Sequence, residues 1–165
     1  MKHIVLSFIS PDRPGLVDTL SNIINQHQGN WQASSLHHMS GFFTGVIEVA
    51  APESQCQALI EKLESIEGLS TVIKVAEQKK SVQSPSIVLD LTANDRVGIV
   101  QEISSVIHHQ GGNLLKLVSK QESAAHSAVE LFKAKVTVSV DAKHIEDLIQ
   151  GIENLADDLV VDIAR

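Results

Sequence analysis

The sequence predicts an α+β protein built from two tandem βαββαβ units, each an antiparallel sheet with both helices on one face. Two observations carry this reading. Residues 4–31, IVLSFISPDRPGLVDTLSNIINQHQGNW, align without a gap on residues 87–114, IVLDLTANDRVGIVQEISSVIHHQGGNL, so one supersecondary unit is duplicated. Within each copy the apolar period changes from that of a strand to that of a helix and back again.

The elements follow in order. HIVLSFI and SIVLDLTA open the two copies as apolar, β-rich runs. Leu16, Val17, Leu20, Ile23 and Ile24 then share one helical face, as do Ile99, Val100, Ile103, Val106 and Ile107, and Gly29 and Gly112 close these helices as C-terminal glycines. NWQASSLHHM and FFTGVIEVAA read as two strands with a connection, and so do NLLKLVSKQ and VELFKAKVTVSV. A second helix is carried by Leu59, Ile60, Leu63 and Ile66, and in the other copy by Ile145, Leu148, Ile149, Ile152 and Leu155. Short last strands, STVIKVA and LVVDIA, end the units. Leu59 with Leu148 and Leu63 with Ile152 lie six residues further apart than the first-helix matches, which places an insertion near ESAAHSA, between the second and third strands of copy two. The expected organisation is a first module at 1–78, a polar linker at 79–85 containing Pro85, and a second module at 86–165.

Charge and cysteine content narrow the function. Thirteen Lys and Arg stand against twenty Asp and Glu, for a net charge of -7, and no basic run exceeds Lys79-Lys80. The electrostatic footprint of phosphate-backbone binding is missing, so no direct nucleic-acid contact is expected. Cys56 is the single cysteine, which excludes an intrachain disulfide and a Cys-rich zinc site and fits a reducing cytoplasm. The start, MKHIVLSFIS, is broken by Ser7 and Ser10 and stopped by PDRP, against a signal peptide. No apolar run approaches the ~20 residues of a membrane span, so a soluble, cytoplasmic protein is expected. Adjacent histidines, His37-His38 and His108-His109, diverge on a strand or a helix and cannot chelate through both rings. There is no P-loop, G-x-G-x-x-G or G-x-S-x-G elbow, Cys56 falls on a helix, and Trp31, Phe42 and Phe43 read as core or interface anchors. No metal, no cofactor and no enzymatic activity are expected.

The chemistry concentrates at PDRPG and its counterpart NDRVG. Pro14 suits the first helical position, which makes Arg13 the cap and Asp12 the last turn residue. The Gly15 and Leu16 N–H groups then lack helical partners and lie at the positive end of the helix dipole. Such a site can take an α-carboxylate, with Asp12 answering an α-ammonium group and Gly15 admitting the ligand to the backbone. A purely structural alternative has Asp12 satisfy the helix N-terminus, Arg13 lie in solvent and Gly15 permit close packing.

The strand, the SPDRPGLV turn, the helix ending in Gly-Asn and the βαββαβ order resemble the ACT domain, a ferredoxin-like regulatory module. The tandem arrangement, with SSLHHMSGFFTGVIEVAA after the first helix, is similar to the glycine cleavage system transcriptional repressor family. The resemblance implies a glycine-responsive accessory repressor that contacts a DNA-bound transcriptional activator protein and not DNA. It implies amino-acid binding at interfaces between modules, by Ser10, Asp12, Arg13, Pro14, Gly15 and Leu16 and by Asn94, Asp95, Arg96, Val97, Gly98 and Ile99. The second loop departs from the motif at Val97 and Asn94, where the first has Pro14 and Pro11, so unequal sites are expected. The alternative is an amino-acid-binding regulator of a metabolic enzyme or transporter. Sheet edges left open by each unit leave a homodimer open as well.

Overall fold

The computed structural model describes residues 1–76 and 85–164. The linker expected at 79–85 lies, except for Pro85, outside the described residues. The chain divides into two compact units. In the first, β1 (Lys2–Pro11), α1 (Leu16–Gln26), β2 (Asn30–Met39), β3 (Phe42–Ala51), α2 (Glu53–Glu64) and β4 (Ser70–Ala76) follow one another. The second repeats the order with β5 (Ser86–Asn94), α3 (Ile99–His109), β6 (Asn113–Ser123), β7 (Glu130–Ser139), α4 (Ile145–Glu153) and β8 (Val160–Ile163). A 3₁₀ turn, Ala142–His144, precedes α4.

Each module is a four-stranded sheet, ordered β2-β3-β1-β4 in the first and β6-β7-β5-β8 in the second. Every pairing is antiparallel. Alternation along the central strand explains the layering. Ile4, Leu6 and Phe8 point to the helices and are buried with Leu20, Ile24, Leu59 and Leu63, while Ser7 and Ile9 point away and are exposed. The second module builds its own core from Leu89, Leu91, Ile103, Ile107, Val136, Leu148 and Ile152. The helical stripes are narrower than the sequence pattern implies. Val17 and Val100, at matching positions, are 41% and 42% exposed, because they sit one residue beyond Leu16 and Ile99 and turn about 100° off the buried face.

The helix stops also differ from the expected ones. The left-handed residues are Gln28 (φ 57) and Gly111 (φ 71), one position before the glycines assigned that role. Gly29 and Gly112 serve close approach: a Cβ on Gly29 would stand 2.8 Å from Ile24 Cγ2 and 2.9 Å from its carbonyl oxygen, and one on Gly112 would stand 3.0 Å from the Ile107 carbonyl oxygen. Their N–H groups donate to those same carbonyls, at 2.8 and 2.9 Å. Gln28 therefore bears a conformation that costs a residue with a Cβ roughly 1–2 kcal/mol. Gln28→Gly is expected to raise stability by about 0.5–1 kcal/mol after the extra chain entropy of glycine is subtracted. Urea unfolding of the two proteins checks this; an unchanged or lower midpoint counts against it.

The insertion falls where the sequence places it. The β2–β3 hairpin turns through Ser40 (φ 50) and Gly41 (φ 84), the two positive φ values of a type I′ turn. Its counterpart spans Ala124 to Val129, closed by the Ala124 N–H donating to the Val129 carbonyl at 3.0 Å. Both second strands carry a register shift at the same place, between Trp31 and Ala33 and between Leu114 and Lys116. The helix-free faces have diverged. Ile9, Phe42, Val46 and Val72 are exposed in the first module, and the strand pairings put Thr92, Leu131, Lys135 and Asp162 at the matching positions of the second.

Candidate functional site

The first Asp-Arg-x-Gly loop is a turn between Pro11, the last residue of β1, and Leu16, the first of α1. Gly15 is the N-cap, in the left-handed region at φ 82 and ψ 5, and no side chain caps the helix. The first helical bond runs from the Thr19 N–H to the Gly15 carbonyl at 2.9 Å, and the Thr19 hydroxyl donates to that carbonyl at 3.0 Å. Pro14 is thus not the first helical residue, because the left-handed rotation at Gly15 separates it from α1. Nor are Arg13 and Gly15 the cap and first donor. The N–H groups that precede the first helical bond belong to Leu16, Val17 and Asp18, and they carry the positive end of the dipole.

Both loops are braced at matching positions, by partners that the sequence reading did not name. The Asp12 N–H donates to the Gly41 carbonyl at 3.1 Å and the Asp95 N–H to the Glu130 carbonyl at 2.8 Å. Asp12 Oδ2 lies 3.3 Å from His38 Nε2. Asp95 Oδ2 accepts from Gln121 Nε2 at 2.7 Å. His38 and Gln121 are the same position, opposite Phe43 and Phe132 in their sheets. The aspartates are therefore tied to β2 and β6 and not to the helix termini. Asp12 Oδ1 stays outside that pair.

Around this common frame the two sites differ. Arg13 has no carboxylate within 4 Å among the described residues; its guanidinium passes Gly68, where a Cβ would be 3.7 Å from Nη1. Arg96 instead donates through both terminal nitrogens to Glu102, Nη1 to Oε1 at 2.8 Å and Nη2 to Oε2 at 2.5 Å. That bond lowers the Glu102 carboxyl below its ordinary range and raises Arg96, with Asp158 adding to the latter. The Asn94 N–H donates to Asp158 Oδ2 at 2.5 Å, a donor that Pro11 lacks at the matching position. The Ile99 N–H reaches back to the Arg96 carbonyl at 3.4 Å.

The remaining expected residues fall as follows. Ser10 is 1% exposed and its hydroxyl donates to the Pro11 carbonyl at 2.9 Å, so its side chain faces the core and not the loop surface. Leu16 and Ile99 are core side chains and offer only their backbone. Pro14 and Val97 are exposed; Val97 projects freely into solvent.

Other features lie elsewhere. A shallow groove of about 400 Å³ crosses the helix-free face of the second sheet, between Asp90, Thr92, Val118, Lys120, Lys133 and Lys135. No residue of the second Asp-Arg-x-Gly loop lines it, and Glu122 beside it is held below the ordinary carboxylate range by hydrogen bonds from Lys120 and Lys133. Cys56 is buried, its Sγ 3.4 Å from the Pro52 carbonyl. Among the described residues no three His, Cys, Asp or Glu side chains gather to hold a metal ion, and no helix is long and apolar enough to cross a membrane.

No family model and no curated protein matches the sequence. Solved structures do match along the whole chain. A protein of unknown function from Galdieria sulphuraria is 20% identical, with a TM-score of 0.79 over 98% of this chain and 96% of that one. A structure assigned as a glycine cleavage system transcriptional repressor is 13% identical, with a TM-score of 0.70 over 99% of this chain and 98% of that one. At these identities the likeness is one of fold: the chain has a tandem ferredoxin-like architecture of two βαββαβ modules, and its fold resembles that of the repressor structure from end to end.

Proposed function

We propose that the protein is a non-enzymatic, cytoplasmic amino-acid sensor whose first module takes glycine, and that it represses transcription by contacting a DNA-bound activator protein. The observation that carries the reading is the first loop. Arg13 has no carboxylate partner among the described residues, the α1 N–H groups have no side-chain cap, and a Cβ at Gly15 would meet nothing within 4 Å. A carboxylate can approach the Gly15 backbone without a steric barrier and meet a helix N-terminus there, with Arg13 two residues back in the chain to supply a guanidinium. Asp12, held by His38, supplies the opposite charge for the ammonium end. Glycine is favoured by the resemblance to the repressor structure, and the net charge of -7 favours a protein partner over DNA.

Glycine at a hundred times its dissociation constant is expected to stabilise the protein by about 2.7 kcal/mol, a melting shift of about 5–10 °C. Arg13→Gln is expected to weaken binding about 10- to 100-fold, through loss of a charge-assisted hydrogen bond worth roughly 1.5–3 kcal/mol. Calorimetric titration with each of the common amino acids measures both. Absence of heat and of any melting shift with all of them defeats the sensor reading. Capture of partners from extract tests the second half: a metabolic enzyme or transporter without a DNA-binding regulator defeats the repressor role.

A further inference from the structure

The matching positions around the two Asp-Arg-x-Gly loops differ in one consistent respect. Glu102 stands three residues after Ile99, where α1 has Thr19 three after Leu16. Asp158 stands three residues before Val161, the partner of Leu91, where the first module has Gly68 three before Thr71, the partner of Phe8. Two carboxylates are thus present in the second module and missing in the first. Both are engaged at the loop itself. Glu102 holds Arg96 through both oxygens, and Asp158 accepts the Asn94 N–H.

A second observation, independent of charge, has the same sense. A Cβ built on Gly15 would meet nothing within 4 Å, whereas one on Gly98 would stand 4.0 Å from Glu102 Oε1. The approach to the backbone that is open in the first loop is flanked by the protein's own carboxylate in the second. Asp18, the acidic residue in the first turn of α1, does not play this part, since its Oδ2 accepts from Asn22 one turn along the helix at 3.2 Å.

We propose that the second module is closed by an internal ligand, with the Glu102 carboxylate holding Arg96 in place of a bound amino-acid carboxylate and Asp158 filling the adjacent donor, so that each chain binds one amino acid and not two. This rests on the reading of the first loop as the amino-acid site. A tethered carboxylate competes at an effective concentration of about millimolar or more, and its two parallel bonds to a planar guanidinium reproduce what an amino-acid carboxylate would make. The duplication then has two unequal products, a receptive module and a self-satisfied one.

Calorimetric titration of the full chain with glycine, and exchange of the arginine Nη–H groups followed by NMR without ligand, test this. The wild-type chain is expected to bind one glycine, and Glu102→Thr combined with Asp158→Gly to bind two. Thr19→Glu is expected to weaken the single site about tenfold or more. Glu102→Gln keeps the shape and removes the charge, and is expected to speed Arg96 Nη–H exchange to the rate of Arg13. Two glycines on the wild-type chain, or still one on a folded double variant, overturns the closure while leaving the sensor reading intact. Slow exchange at Arg96 with no glycine bound by any variant supports the closure and overturns the sensor reading instead. Equal exchange at Arg13 and Arg96 in the wild-type chain overturns the closure whatever the titration shows.

Discussion

Leu6→Ala is expected to remove about 2–5 kcal/mol of stability. Leu6 is at the centre of β1, wholly buried, with Ile47 and Ile73 beside it on the flanking strands. It belongs to a core confined to the first module. For a unit of this size total stability is of order 0.05–0.15 kcal/mol per residue, so the loss is a large share of what holds the module together. The cost has two parts, the transfer free energy of the deleted methyl groups and the cavity left where sheet and helices meet. Val17→Ala removes a comparable volume from an exposed site and is expected to change stability by less than about 0.5 kcal/mol. Urea unfolding of both variants checks the contrast, and similar losses would mean that the helix-facing assignment of α1 is wrong.

Gly45→Ala is expected to cost about 1–3 kcal/mol by overpacking. A Cβ at Gly45 would overlap the carbonyl oxygen of Ser35 and stand 2.6 Å from Leu36 Cδ2 and 2.9 Å from its Cα. Two of those atoms are backbone, so β2 itself must shift. The second module shows the compensating arrangement: Ala134 takes the place of Gly45, and Ser119 opposite it takes the place of Leu36. Adding Leu36→Ser to Gly45→Ala is therefore expected to recover part of the loss. Because β2 also carries His38, the single variant should loosen the brace on Asp12 and, on the proposed sensor reading, weaken amino-acid binding along with stability. Thermal melts and titrations on the two variants separate these effects, and a single variant as stable as wild type defeats the prediction.

The architecture was legible because duplication writes each element twice. Strand runs such as IVLSF and IVLDL, and the six-residue offset between the second helices, sufficed to order every element and to place the hairpin insertion. The start of α1 was displaced because Pro14 follows the rule for a first helical residue, while the left-handed turn at Gly15 depends on how the chain leaves β1. Gly29 and Gly112 invited a helix-stop reading, yet what they avoid is a clash with Ile24, Val49, Ile107 and Val138, visible only when sheet and helix are packed.

At the site, Asp12, Arg13 and Gly15 were readable from their repetition, and their partners were not. His38 and Gln121 are brought in by strand pairing. Glu102 and Asp158 act at separations that no local pattern encodes. The signal that could have revealed the last two is the mismatch between copies, Thr19 against Glu102 and Gly68 against Asp158, at places where the surrounding sequence agrees. Glu102 also has a definite pH sense. Since its folded carboxyl titrates below the ordinary glutamate range, the stability that it lends is complete above that range and is lost only as pH falls through the lowered value.

The paired register shifts in β2 and β6 bear on how the chain behaves at high concentration. Both strands are long and, among the described residues, each is the edge strand of its own sheet, which makes them templates for unwanted cross-β growth. An extra residue at position 32 or 115 bends the strand and sharpens its twist. A second chain laid against that edge can follow it only beyond the bend, so a continuous full-length ladder between molecules is blocked at the root of the strand in both halves of the protein.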